Sequence, residues 1–451
     1  ITSIKVTPSQ VTLAPGAFVQ FSVTDSQGIT IPPLRIVWTS ANPSIAAVDA
    51  PGVVRYVNPG SVWILASFGM LHDSVLISAP EALPLTQITA GAGQTCGLTP
   101  RHVAYCWGYV ESGVLGVGFL PPGDYFTPTP MKVLGGIEWA SITAGYAQSC
   151  GVTTGGDAYC WGTGAPTGID FSETFYTPAR VPGTRTMSAL QAGGSTTCGI
   201  ASNGHAGCWG NYANLAIIPT AADTGGGFAW RGSEPPSFSM MAAGLGYSCG
   251  VSVDGVGHCW GLSNGGQLGT GSFAPTLGYV SGYLSVIGSD TVAGGLRFTA
   301  IAAGESHTCG ITTAGLAYCW GLGDQGQVGV GPMMLSHRYP TPVPVAGGLR
   351  FTALSVGLRY SCAITAAGSA YCWGANDRGQ LGTGDANPRW TPAAVSGGLR
   401  FRSISAGRDH TCGMSDTGVA YCWGDNSEGE LGDGMTTEVM HPTPIKVAGQ
   451  P

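Results

Sequence analysis

Residues 4–16, IKVTPSQVTLAPG, alternate apolar and polar positions and close on Pro-Gly, the pattern of a strand entering a turn. From residue 88 onward a longer pattern recurs. It opens on an apolar residue followed by a small residue and Gly: ITAG (88–91 and 142–145), LQAG (190–193), MAAG (241–244), IAAG (301–304), LSVG (354–357) and ISAG (404–407). Two short runs separated by a Gly-containing turn follow, as in CGIT-TAG-LAYC (309–319) and CGMS-DTG-VAYC (412–422). Strand, turn, strand predicts a β-hairpin. Trp and Gly come next, at Trp107, Trp161, Trp209, Trp260, Trp320, Trp373 and Trp423. Then come GGQLGTG (265–271), GQVGVG (326–331), GQLGTG (379–384) and GELGDG (429–434), and often a Thr-Pro strand such as TPTPMKV (127–133) or PTPIKV (442–447).

The unit repeats every 48–60 residues. Several short strands at a period near 50 predict propeller blades, which bury their faces against neighbours in a ring. The tryptophans are then expected between blades, and the glycines in tight turns and at close backbone approaches.

All fourteen cysteines fall into this frame, ten positions apart: Cys96/Cys106, Cys150/Cys160, Cys198/Cys208, Cys249/Cys259, Cys309/Cys319, Cys362/Cys372 and Cys412/Cys422. No close C-x2-C pair of the zinc kind occurs. The two members of each pair sit at matching ends of a hairpin, within reach of a cross-strand disulfide. Free buried thiols are the alternative. A bridge closing about 11 residues contributes roughly 3 kcal/mol in the loop-entropy picture. Seven pairs with none left over point to an oxidising compartment, secreted or at the cell surface.

The repeated Ala-Gly, hairpin, YCWG and GQLG resemble the regulator of chromosome condensation repeat family, a seven-bladed β-propeller, over about 85–450. Blades two and three depart from the pattern: GAPTGID (164–170) and NYANLAIIP (211–219) replace the GQLG loop. Residues 1–80 lack cysteine; VWTSANPSIAAVD (37–49), GVV (52–54) and GSVWILASF (60–68) resemble a bacterial immunoglobulin-like domain of group 2. That resemblance makes Trp38 a sandwich core residue. The expected fold is all-β: an immunoglobulin-like β-sandwich (1–80), a short linker (81–86) and a seven-bladed propeller (87–451) with one disulfide per blade.

Composition narrows the functions. A net charge of −7 argues against nucleic acid, and no run of about 18 apolar residues predicts a membrane span. The start at Ile1, without Met, is expected of a processed or trimmed chain. Charged residues make up 10% of the chain, against about 25% in an average soluble protein. So few charges require either sugars or subunit contacts to cover the surface. No Asn-x-Ser/Thr sequon exists, so any glycan is expected to be O-linked.

No catalytic constellation emerges, and no cofactor is expected. GLSNG (261–265) fits a nucleophile-elbow pattern, but Ser263 stands where other blades carry GLGDQG and GANDRG. His307 and His410 share a repeat position filled elsewhere by Gln94, Gln148, Thr196, Tyr247 and Tyr360, which reads as a polar turn or rim site. His258 replaces the Tyr of AYC and is expected to be packed. The weak calcium candidates are Asp425, Asn426, Glu428, Glu430 and Asp433, without EF-hand spacing. Two long segments offer interface candidates: Phe228, Trp230 and Arg231 in 210–239, and Phe273, Tyr279 and Tyr283 in 272–290.

These features lead to a non-enzymatic extracellular bacterial protein, structural or adhesive, self-assembling into a surface layer or filament. Its partner is a protein, copies of itself included. The alternative is a monomeric secreted protein-binding or inhibitor propeller, similar to the β-lactamase-inhibiting propellers of this fold. Alkylation of the native protein before reduction should label no cysteine; labelling of several would exclude the staples.

Overall fold

The second strand of each repeat is apolar or hydroxyl-bearing at nearly every position, as in HTCGIT and YSCGVS, and lies buried on both faces. It can do so only in the middle of a sheet with neighbours above and below. In the computed structural model, each repeat folds into a small antiparallel sheet whose strands follow chain order. The structure describes residues 1–12, 18–57, 61–78, 83–118, 125–163, 173–182, 186–194, 196–210, 236–275, 277–280, 283–286, 290–332 and 337–450.

Seven such sheets lie along 87–446. In blade five the order is Phe298–Ala303, His307–Thr312, Ala317–Leu322 and Arg338–Pro344, from channel to rim. Blade three shows three strands among the described residues, and blade four takes the short Asp290–Thr291 as its outer strand. A hairpin of Leu277–Val280 and Tyr283–Val286 is inserted ahead of that strand.

The fourteen cysteines form seven disulfides, one within each blade, and each joins directly opposed residues of the second and third strands. The bonds are Cys96–Cys106, Cys150–Cys160, Cys198–Cys208, Cys249–Cys259, Cys309–Cys319, Cys362–Cys372 and Cys412–Cys422, with Cα atoms 4.0–4.1 Å apart. No cysteine is free, which removes the alternative of buried thiols.

Each disulfide faces the following blade. Cys96 and Cys106 pack with Val114 and Leu115 against Trp139 and Trp161 of blade two. Cys150 and Cys160 lie against Met187 and Trp209 of blade three, and Cys198 and Cys208 against Phe238 and Trp260 of blade four. Cys249 and Cys259 sit with Leu268 beneath Phe298 and Trp320 of blade five, and Cys309 and Cys319 with Val328 beneath Phe351 and Trp373 of blade six. Cys362 and Cys372 cluster with Leu381, on the side where the Ile404 of blade seven packs. In the last blade Cys412, bonded to Cys422, places its Sγ 3.8 Å from Thr95 Oγ1 of blade one. The tryptophans therefore fill the gaps between blades.

The last blade is built entirely from 401–446, so no strand is shared between the chain's two ends. The ring closes by side-to-side contact: the Ala90 amide donates to Ser405 Oγ (2.9 Å) and the Arg408 amide to Gly91 O (3.0 Å).

The innermost strands surround a channel of about 470 Å³. At its neck stand the seven glycines of the recurring Ala/Val-Gly motif. A side chain on Gly145 would sit 2.4 Å from Gly193 O, one on Gly304 2.3 Å from Gly357 O, and one on Gly407 2.3 Å from Gly91 O. The motif thus sets how closely adjacent blades approach.

The N-terminal unit comprises Ile1–Pro84 with Ala448–Pro451; the propeller unit is Leu85–Val447. Within the first unit, three small sheets enclose Val6, Phe21, Val23, Val54, Tyr56, Ile64, Val75 and Ile77. Trp38 stacks on Phe21 (5.8 Å between centroids), against this core. The Leu83 amide donates to Gly449 O (2.6 Å), tying the last residues to this unit.

The neck glycines give a sharp comparison. Gly145→Ala should lower stability by about 1–3 kcal/mol, the usual range for overpacking. Gly155→Ala, where the nearest atom is 3.7 Å away, should change it by less than about 0.5 kcal/mol. Chemical denaturation of both variants reads the difference; equal effects would contradict the role of the neck.

Candidate functional site

The chemistry-bearing residues of the propeller converge on the seams between blades. The Gly-Gln-Leu-Gly loop supplies the centre of each described seam. Its last glycine has positive φ (69–75° at Gly116, Gly269, Gly329, Gly382 and Gly432), which L-residues rarely adopt. Any side chain there would also meet the indole of the next blade, at 2.4 Å for Gly432 and 2.7 Å for Gly329 and Gly382. That turn aims one backbone carbonyl at the neighbour. Gln267 O accepts from Trp320 Nε1 (2.9 Å) and Thr308 Oγ1 (2.8 Å), and Gln327 O from Trp373 Nε1 (2.9 Å) and Ser361 Oγ (3.0 Å). Gln380 O does the same with Trp423 and Thr411, and Val114 O with Trp161 and Ser149. At the closing seam Glu430 O accepts from Trp107 Nε1 (3.0 Å) and Thr95 Oγ1 (2.8 Å). The corresponding loops of blades two and three, 164–170 and 211–219, lie outside the described residues.

The disulfides belong to the same seams. Cys106, Cys160, Cys208, Cys259, Cys319, Cys372 and Cys422 each stand immediately before the seam tryptophan of their own blade. Each is held by its partner, so none offers a thiolate for nucleophilic attack or metal binding. Their role is to fix the hairpin that carries the indole.

A corollary concerns His307 and His410. They are fully buried strand residues, not rim or turn positions as their variability suggests. His307 Nε2 lies 2.9 Å from Ser361 Oγ, and His410 Nε2 2.8 Å from Thr95 Oγ1. Each hydroxyl has one proton, and it is spent on the loop carbonyl, so Nε2 must be the donor. The Ser361–His307 pair therefore has a nucleophile's distance but the wrong proton arrangement, in a dry seam. Desolvation pushes both imidazoles down to about 3. Gln148 serves the same end through Nε2 to Thr197 Oγ1 (3.0 Å), and Tyr360 through its hydroxyl to His410 O (2.6 Å). Chemistry at this position varies because several donors can bridge the same gap.

Sequence profiles identify the repeat. One for the regulator of chromosome condensation repeat matches residues 314–364 and 367–414, and a second for the same repeat matches 298–327, 351–380 and 401–430. Residues 298–430 of the propeller carry regulator of chromosome condensation repeats. A profile of the bacterial immunoglobulin-like domain, group 2, matches residues 1–69, so the N-terminal unit is of that type. The ultraviolet-B receptor UVR8 of Arabidopsis thaliana is 26% identical over 388 residues, 80% of this chain and 82% of that protein. Among solved structures, the yeast regulator of chromosome condensation bound to Kap60 aligns with a TM-score of 0.64 at 20% identity, covering 81% of this chain and 85% of that one. Human WBSCR16 aligns equally well at 17% identity, covering 77% and 94%. These structures share the propeller fold.

Within this regulator-type propeller the remaining candidates sit as follows. Ser263 is buried and donates to Ser272 O (3.2 Å), a brace of its own loop. His258 packs edge-on against Phe238 (5.9 Å). Asn426 donates to Asp433 Oδ1 and Met435 O (both 3.1 Å) and accepts from the Leu431 amide (3.1 Å). Ser427 donates to Asp425, and the Glu428 amide to Glu430 Oε2 (2.8 Å). These oxygens brace the blade-seven loop. Among the described residues no three of His, Cys, Asp and Glu are gathered to hold a metal ion. Phe273 is exposed. Tyr279 and Tyr283 lie on the inserted hairpin, opposite Leu284 and Val280. Phe228, Trp230 and Arg231 lie outside the described residues. Of the channel's lining residues, the charged ones are Glu305 and Arg408. Burial alone would depress Arg408; its contact with Asp409 (2.6 Å) outweighs that and raises it. Among the described residues no helix is long and apolar enough to cross a membrane.

Glu430 is the acidic member of the set, as Val114 is the apolar one. Gln267, Gln327 and Gln380 fill its slot elsewhere, each accepting from a loop amide. Gln327 and Gln380 also donate through Nε2, to Asp324 and Asp377. A carboxylate has no such donor. Desolvation, with Asp425 and Glu428 nearby, pushes the Glu430 carboxyl up to about 8. A neutral acid with one O–H reproduces the donor and acceptor of glutamine. Its folded value lies above the unfolded 4.5, so its contribution to stability is complete below pH 4.5 and is lost as pH rises through 8. Glu430→Gln should therefore raise the melting temperature by several degrees at pH 8.5 and by almost nothing at pH 4.5. A pH-independent difference between the two proteins would contradict a buried neutral acid.

Proposed function

We propose that the chain is an extracellular bacterial protein of structural or adhesive type, which works without catalysis and assembles with copies of itself into a surface layer or filament. The observation that carries this reading is how the reactive side chains are used. Every cysteine is locked in a disulfide, and the buried His, Tyr, Ser and Thr groups of the described seams hold blade to blade. The seven disulfides agree with an oxidising extracellular compartment. Propellers of this repeat bind protein partners: the yeast regulator was solved bound to Kap60. A surface poor in charge and a rigid frame suit repeated contacts between like units.

One feature supports a second reading, the monomeric secreted binder. Tyr125 and Phe126 are exposed side by side, with Tyr109 6.3 Å from Phe126. Aromatics so displayed commonly anchor a partner protein.

Electron microscopy of the native material, taken from the cell exterior without detergent, separates the two. Regular filaments or lattices are expected. Single 45.8-kDa particles, alone or capped by one different protein, would contradict assembly and support the binder.

A further inference from the structure

Successive strands of a blade run antiparallel, as Phe298–Ala303, His307–Thr312, Ala317–Leu322 and Arg338–Pro344 do in blade five. The links from first to second strand and from third to fourth therefore lie at one end of the ring. The second-to-third turns and the links between blades lie at the other. Each neck glycine follows a first strand, and the seven pack in one circle. Every blade thus points the same way, and the first end is the neck end.

The two ends carry opposite charge over the same blades. On blades five to seven the neck end presents Glu305, Asp324, Asp377, Glu428 and Asp433, all at least partly exposed. Arg338, Arg359 and Arg378 oppose them, while Asp385–Arg389 (2.7 Å) and Asp409–Arg408 (2.6 Å) are ion pairs that cancel. At the far end the GGLRF links ahead of blades five, six and seven carry Arg297, Arg350 and Arg400, each exposed. Arg402 and Lys446 add to them, and among the described residues Asp254 and Asp416 are the acids of that arc. Arg350 Nη1 donates to Ala314 O and Arg400 Nη1 to Ala367 O (2.7 Å), which fixes both guanidinium groups at the end surface.

We infer that propellers stack head to tail, the acidic arc at the neck end of one copy resting on the basic arc at the far end of the next. The inference rests on the self-assembly reading above and names its contact. Charge complementarity selects a second copy as the occupant. The two arcs belong to one ring and lie over the same three blades, so a copy moved along the ring axis with little rotation brings them face to face. Two neck ends, or two far ends, would meet with like charge, which disfavours a closed pair. A head-to-tail contact uses two different surfaces, so every added copy leaves one free end of each kind and growth stays open.

The test is sedimentation velocity of the full chain across roughly 1–200 µM, at about 0.05 M and about 0.5 M salt. The expected result is open-ended, concentration-dependent association that the higher salt weakens roughly tenfold or more. Asp324→Lys/Asp377→Lys and Arg350→Glu/Arg400→Glu should each be monomeric alone, because each then carries one sign at both ends. Mixed in equal amounts, the two should associate again, since the reversed neck end of the first fits the reversed far end of the second, and their unaltered ends fit each other. Arg297→Glu replaces the second variant if loss of the two carbonyl bonds lowers its thermal transition. Association indifferent to salt and to these variants would overturn the stacking and leave self-assembly standing, as would folded variants that stay monomeric when mixed. A chain that stops at dimers would overturn the stacking and the polymer with it. A chain monomeric at every concentration and salt would overturn both the stacking and self-assembly.

Discussion

One backbone carbonyl per described seam, offered by the Gly-Gln-Leu-Gly turn and shared by an indole N–H and a hydroxyl of the next blade, holds the ring together. Burying a carbonyl unpaired costs about 1–3 kcal/mol, and here each carbonyl is met by two donors. The turn must be left-handed to aim the carbonyl, which requires glycine. The indole lies under that glycine, and in several seams an inner-strand ring packs beside it, as Phe401 does with Trp423 (5.6 Å) and Trp139 with Trp161 (5.5 Å). The disulfide then forms the floor on which these rings rest. Repeat periodicity and stapling are two aspects of this one seam.

Because the seam is dry, titratable groups placed in it stay neutral. The imidazoles of His307 and His410 sit far below their ordinary value, and burial raises the phenols of Tyr247 and Tyr360. The neutral imidazoles favour the fold at neutral pH, an advantage that fades as pH falls from 6.5 toward 3. Groups so held are poor acids, bases or nucleophiles. A propeller joined to an immunoglobulin-like domain suggests a protein-binding or structural role.

Much of this was legible in the chain. The two cysteines of every repeat stand ten positions apart around a Gly-containing turn, so the hairpins and their bridges are legible in that spacing. The tryptophans could be assigned to the seams because each follows a hairpin at a fixed offset. Other features of the seam leave a signal in the chain that the structure explains. A Thr or Ser precedes the first cysteine of every repeat, and GGLRF recurs at 294–298, 347–351 and 397–401, marking the hydroxyl and the inner-strand ring. In sequence His307 and His410 read as rim sites, because a residue that changes chemistry between repeats resembles surface variation. Only geometry shows that Gln, Tyr and His each span the same gap.

The central claim is that the loop carbonyls hold the indoles of the following blades. Hydrogen exchange of the indole N–H groups of Trp107, Trp161, Trp320, Trp373 and Trp423, followed by NMR on the native chain, addresses it directly. All five should exchange only as fast as the propeller unfolds globally, and should respond alike to added denaturant. Exchange of these protons within seconds in native buffer, independent of denaturant, would contradict it.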